Sequence, residues 1–331
     1  MTKNALNSLP LVRGKWIAFL LLAILIALMM GPKNSFGPNL PINREQVPTE
    51  LLKLDNWLAH QEASVPHLRP QTAKEVVWAT GKPIKTKWSV VYIHGFSASK
   101  LETAPLTAVV AKSLGANIFY TRLTGHGQGA AELGEASVQA WLADVNEAVD
   151  IGQLIGERVL VISCSTGSTL ATWFATSSRG SDVYAHVFVS PNFGPKDKRA
   201  ELINWPWGHQ LAFAIQGSTR GEASKDPKQN MGWTTVYPTQ ALFPMMALTK
   251  HVRDSDLSKF KQPVLVFYSQ EDQVVEPEQI KTAFTAIGSS QKRLVKVDYS
   301  SSTNQHVLAG DIYDPLAIRP MQQEILEWLQ F

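Results

Sequence analysis

A single cysteine in 331 residues excludes a disulfide framework and any cysteine-based zinc or iron–sulfur site within one chain. It leaves the redox compartment open. Net charge is scarce too: 31 basic residues against 28 acidic leave +3, with no Lys/Arg block and no basic stripe. A nucleic-acid footprint is therefore not supported. No Asn-x-Ser/Thr triplet occurs, no internal repeat and no low-complexity tract. Apolar residues, in contrast, make up 44% of the chain, enough for a packed core and too many for wholesale disorder.

Trp16 to Met30 is fifteen residues without a charge, preceded by Lys3, Arg13 and Lys15. As a helix this run spans roughly 22 Å, short of a hydrocarbon core of about 30 Å. Leu11 and Val12 can extend it, with Arg13 and Lys15 snorkelling to the interface. The favoured reading is a membrane anchor over 16–31 behind a basic flank, 1–15. The alternative is the apolar region of a cleaved signal, with Gly31 and Gly37 as candidate cut sites, each followed by a proline. Either reading places the rest of the chain outside the cytoplasm, because the basic flank stays inside. The missing Asn-x-Ser/Thr triplet then leans towards a bacterial periplasm, on the outer face of the inner membrane. Pro32, Pro38, Pro41 and Pro48 mark an extended tether. Leu51, Leu52, Leu54, Trp57 and Leu58 form a short amphipathic helix, completing a leading segment over 32–74.

From about residue 75 the pattern alternates. Runs rich in β-branched or aromatic residues predict strands at 89–93, 117–121, 158–162, 183–189, 263–268 and 293–297. Several are apolar at consecutive positions, as strands buried on both faces should be. Between them, helical spacing covers 104–114, 138–155, 166–176, 278–287 and 316–329. This predicts an α/β fold over 75–331, a mostly parallel, doubly wound sheet with its site along the edge where the strands end. Residues 191–260 break the rhythm, with no clear strand and a concentration of Trp, Phe and Met. So long a structureless loop is improbable in a compact domain; an inserted, helical cap is expected.

Four local features carry chemistry. The buried run Val159-Leu160-Val161-Ile162 leads into Ser163-Cys164-Ser165-Thr166-Gly167 and a helix. His94-Gly95-Phe96 follows the strand ending at Ile93. Asp272 follows the strand 263–268, with Glu271 as its neighbour and rival. His306-Val307-Leu308 lies between the final strand and the closing helix. Each has a plain structural reading when taken alone: a helix cap, a turn, or a surface residue. Cys164 flanks the apex of its turn, where a packing role fits better than a nucleophile.

The Ser163–Gly167 turn resembles the nucleophile elbow of the α/β-hydrolase superfamily, G-x-S-x-G, with Ser165 at its apex and Ser163 in place of the first glycine. His-Gly-Phe resembles the oxyanion loop of the same family. The chain order Ser165, Asp272, His306 is also the family's order. The resemblance implies an α/β-hydrolase fold with a cap, and a triad of nucleophile Ser165, base His306 and acid Asp272. It implies oxyanion donors at the backbone N–H groups of Phe96 and Thr166, and no metal or organic cofactor. Gly125-His126-Gly127 matches a turn common in lipase-like members, giving His126 a structural role.

A serine at the apex argues against the family's dehalogenase and epoxide-hydrolase branches, which use aspartate. The likeness is greatest to the monoacylglycerol-lipase and carboxylesterase group, whose acyl substrates need an apolar tunnel; the Trp, Phe and Met residues of the cap, Trp205, Trp207, Trp233, Phe213, Phe243, Met245 and Met246, are candidates to line one. The expected partner is a small acyl ester or lipid, at a membrane reached through the N-terminal helix. Two rivals remain: an exported serine aminopeptidase, needing an acidic group in the cap such as Glu201 or Glu222, and a non-catalytic binding protein on the same scaffold.

Overall fold

Strands that bury both faces need apolar side chains at successive positions, and five central strands here have them. The computed structural model describes residues 9–38, 42 and 44–330. Its strands are β1 (Glu75–Val77), β2 (Thr86–Ile93), β3 (Asn117–Tyr120), β4 (Gly156–Cys164), β5 (Ala185–Val189), β6 (Thr219–Gly221), β7 (Val236–Pro238), β8 (Val264–Tyr268) and β9 (Lys292–Lys296). Seven form one sheet in the order β1-β3-β2-β4-β5-β8-β9. All neighbours pair parallel except β1, which runs antiparallel to β3 at one edge.

The helices are α1 (Leu9–Met29), α2 (Leu51–Ala63), α3 (Leu106–Leu114), α4 (Ala130–Gly134), α5 (Val138–Ile155), α6 (Thr166–Thr176), α7 (Gly208–Gln216), α8 (Pro227–Gly232), α9 (Leu242–Arg253), α10 (Pro277–Ala286) and α11 (Ile318–Trp328). Alternate strand residues feed two separate cores. Val91, Ile93, Val159, Val161, Val264 and Val266 pack with α5, α6 and α10 on one face. Val90, Tyr92, Leu160, Ile162, Leu265 and Phe267 pack with α3 and α11 on the other. Period-two alternation thus survives inside runs that read as uniformly apolar.

The expected strands and helices recur within about two residues at most ends. Three features differ from expectation. The short edge strand β1 is absent from the sequence reading, because three half-exposed residues carry no pattern. The cap between β5 and β8 holds α7, α8 and α9, and it also contains a two-stranded antiparallel ribbon, β6 with β7, so it is not wholly helical. Gly221 at φ +93 turns one strand of that ribbon.

The third difference is at the N-terminus. Among the described residues, no helix is long and apolar enough to cross a membrane. α1 contains Pro10, Arg13 and Lys15 within its bounds, so its charge-free part, from Trp16 to Met29, is only roughly 21 Å long. The expected spanning anchor is therefore not supported, and Lys3 lies outside the described residues. Nor does the proline-rich segment hang free. Trp207 N–H donates to Pro32 O at 2.9 Å, Asn34 Nδ2 donates to Asn204 Oδ1 at 3.0 Å, and the Phe36 ring stacks on His251 at 3.7 Å. Arg44 then reaches Asp144 at 2.6 Å. Pro41 is outside the described residues. The segment is docked along the cap and the domain because polar groups on its backbone and side chains find partners there.

Candidate active site

β4 ends at Cys164, and Ser165 follows in a conformation that L residues seldom adopt, φ 51 and ψ −119. The strain is held by hydrogen bonds on both sides of the residue. Ser165 N–H donates to Val189 O at 3.0 Å, and Ser165 O accepts from Asn192 N–H at 3.1 Å. A Cβ at Gly167 would lie 2.2 Å from Ile93 O and 2.6 Å from His94 O, so α6 can start this close to β2 only on a glycine. The serine at the other flank is accommodated differently. Ser163 Oγ donates to Ser168 Oγ at 3.0 Å, which satisfies a hydroxyl that burial would otherwise strand.

Asp272 follows β8 and is buried, whereas its neighbour Glu271 is exposed. Asp272 Oδ1 accepts the N–H groups of Val274 and Val275 at 2.8 and 2.9 Å. Asp272 Oδ2 lies 2.8 Å from His306 Nδ1. His306 is held by its own loop: its N–H donates to Asn304 Oδ1 at 3.1 Å, and the preceding Gln305 takes φ 53. Ser165, Thr166, Phe96 and His306 border one cavity of about 860 Å³. Among the described residues no hydrogen bond joins Ser165 Oγ to His306 Nε2; the two meet only across this shared cavity.

The loop after β2 is fixed from two sides. Leu123 N–H donates to His94 Nε2 at 3.1 Å, so the proton of this imidazole sits on Nδ1, which donates to Gly95 O at 2.9 Å. Burial holds His94 neutral, its pKa lowered to about 4. Because a peptide's C=O and N–H point opposite ways, anchoring Gly95 O directs the Phe96 N–H away from His94. Thr166 is the first residue of α6, where an N–H has no partner within its helix. His126 is buried beneath Phe96, 5.9 Å between ring centroids, and burial drives its pKa well down. It packs and does not reach the cavity.

The cap supplies the far wall: Ile203, Ala212, Leu242, Met245 and Met246 are apolar, with Arg199 and Arg220 at the rim. Of the aromatic candidates, Trp233 borders the cavity. Trp205 is mostly exposed and Trp207 part-exposed, and neither borders it. Glu201 pairs with Arg253 at 2.7 Å, and Glu222 is exposed and does not border the cavity.

Residues 84–299 match the Hydrolase_4 family, described as serine aminopeptidase, S33. The chain belongs to this family. It stands in the α/β-hydrolase superfamily, on the lipase- and esterase-like side. A thermostable monoacylglycerol lipase of Bacillus sp. (strain H-257) is 26% identical over 229 residues, 69% of this chain and 86% of that protein. Among solved structures, one from a study of LipS and LipT, two metagenome-derived lipolytic enzymes, aligns with a TM-score of 0.59 at 20% identity, covering 80% of this chain and 99% of that one. A soluble variant of monoglyceride lipase from Saccharomyces cerevisiae aligns at 0.58 with 13% identity, covering 78% and 90%. At these identities the structural likenesses concern the fold.

Two parts of this Hydrolase_4 site escape a reading of the sequence. One is the bond between Ser163 and Ser168, which needs the strand and helix brought together. The other is Glu102, buried against the loop after β2 and bordering the cavity. In the polar stretch Ser97–Thr103 a glutamate reads as a surface residue, and no spacing signals otherwise.

Proposed function

We propose that this chain is a serine hydrolase that cleaves carboxylic esters of acyl chains through an acyl-enzyme, with monoacylglycerols or lysophospholipids as the substrate class. The observation that carries the reading is the Asp272–His306 contact of 2.8 Å, opening onto the same cavity as a serine on a strained turn. A serine hydroxyl is a weak nucleophile until an imidazole can take its proton, and the imidazole needs a carboxylate to fix its tautomer and stabilise its charged form. Asp272 on Nδ1 leaves Nε2 to act as base.

In this mechanism substrate enters beneath the cap, and Ser165 Oγ attacks the acyl carbonyl as His306 Nε2 takes the proton. The separation between serine and imidazole closes in that complex, as apo sites commonly tighten on substrate. The N–H groups of Phe96 and Thr166 hold the oxyanion. The alcohol leaves with the proton from His306, and water reverses the sequence. The apolar wall from Ile203 to Met246 suits an acyl chain. The engagement of Glu201 by Arg253 leaves it poorly placed to bind a substrate ammonium, which disfavours the aminopeptidase reading.

The N-terminal segment bears on location. Its charge-free run and exposed apolar side chains, Trp16 and Phe19 among them, support association with a membrane and a domain outside the cytoplasm. Cell fractionation with mass spectrometry of the mature N-terminus tests this; a soluble cytoplasmic protein with an intact start would reject it.

A fluorophosphonate probe tests the chemistry. Labelling of the wild type, lost in Ser165→Ala, supports a serine hydrolase, and absent labelling of folded wild type favours a binding protein. Faster turnover of p-nitrophenyl acyl esters than of aminoacyl anilides is expected; the reverse order would restore the peptidase.

A further inference from the structure

Glu102 is 2% exposed, yet its carboxylate has no part in the proposed relay. Its Oε2 accepts the Gly95 N–H at 2.8 Å and the Tyr92 hydroxyl at 3.1 Å. A Cβ on Gly95 would lie 2.6 Å from Glu102 Oε1 and 3.1 Å from Ser165 Cβ. One glycine is thus wedged between the nucleophile and a buried acid.

We propose that Glu102 is a positioning residue: it locks the loop carrying the Phe96 N–H in the direction an oxyanion needs. This rests on the serine-hydrolase reading above. The loop argument is geometric. His94 Nδ1–H holds the carbonyl of Gly95, and Glu102 holds its N–H, so the peptides on both sides of Gly95 are fixed. The Phe96 N–H then has one direction available before substrate arrives. An oxyanion donor needs this, because reorganising a dipole during reaction forfeits its stabilisation.

The carboxylate is itself held in place. The Tyr92 hydroxyl on β2 donates to it beside the Gly95 N–H. Farther along, Asp311 N–H donates to Ala104 O at 2.8 Å, tying the segment after Glu102 to the loop after His306.

The test compares wild type, Glu102→Gln and Glu102→Ala in full-length protein. It uses a p-nitrophenyl ester for kcat and KM across pH, fluorophosphonate labelling rates, and thermal unfolding. Glu102→Gln keeps an acceptor for Gly95 and removes the charge. It is expected to retain kcat within about tenfold at alkaline pH. Its KM and its fluorophosphonate labelling rate should stay in the same range, because the loop keeps its anchor. Glu102→Ala frees the loop, and kcat should fall about a hundredfold with KM little changed. A hundredfold loss in Glu102→Gln as well, or wild-type kcat in folded Glu102→Ala, overturns the proposal while a labelled wild type leaves the hydrolase intact. An unlabelled wild type overturns both.

Discussion

His306 presents Nδ1 to Asp272 Oδ2 at 2.8 Å, and that carboxylate is braced at its other oxygen by the N–H groups of Val274 and Val275. The acid is therefore held by its own loop before it holds the base. Asp272→Asn keeps the bracing acceptor but offers the imidazole the wrong partner. We expect kcat to fall by about four orders of magnitude with the fold retained. Glu271→Gln, at the exposed neighbour, should stay within about twofold. Steady-state kinetics and circular dichroism on both variants check this.

Gly167→Ala is expected to be among the costliest single-methyl changes in the molecule. The added Cβ would press on the carbonyls of Ile93 and His94, which are strand and loop backbone and cannot rotate aside. A loss of about 3 kcal/mol is expected, read by chemical denaturation.

The serine at the first position of the elbow gives a coupled pair. Ser168→Ala strands the buried Ser163 hydroxyl and should cost about 1–3 kcal/mol. Ser163→Ala with Ser168→Ala removes both ends of the bond, so the double variant should be more stable than the two single losses add up to. A double-mutant cycle in urea measures the difference.

Acid should weaken the fold through buried neutral histidines. Burial lowers His94 from 6.5 to about 4 and His186 from 6.5 to about 3. The unfolded chain binds their protons first, so stability is full above about pH 6.5 and falls as pH drops towards those values. Each contributes a slope of up to about 1.4 kcal/mol per pH unit. His186 lies between Phe188 and Phe260 with neither ring nitrogen hydrogen-bonded. His186→Phe should remove its share of the slope, measured as Tm against pH from 7 to 4.

Much of the architecture is legible because the strands bury both faces and the helices between them keep their spacing. Ser165 stands out for the same reason, at the end of a run of apolar residues that can only be a central strand. What hid was long-range and polar. The sequence does not say that Arg44 reaches Asp144, or that a glutamate in a polar loop turns inward. The ribbon within the cap is three residues a side, too short for alternation to register. At the N-terminus the apolar stretch of the helix, from Trp16 to Met29, is too short to carry the expected span.

The docking of residues 32–38 and of Arg44 changes how the entrance to the cavity can open. A cap inserted between two strands usually hangs on two covalent stalks and can swing about them. Here further ties join from outside: Asn34 to Asn204 and Phe36 to His251 on the swinging part, and Arg44 to Asp144 on the static part. Any wide gape must unpick that seam or drag the leading segment along with it.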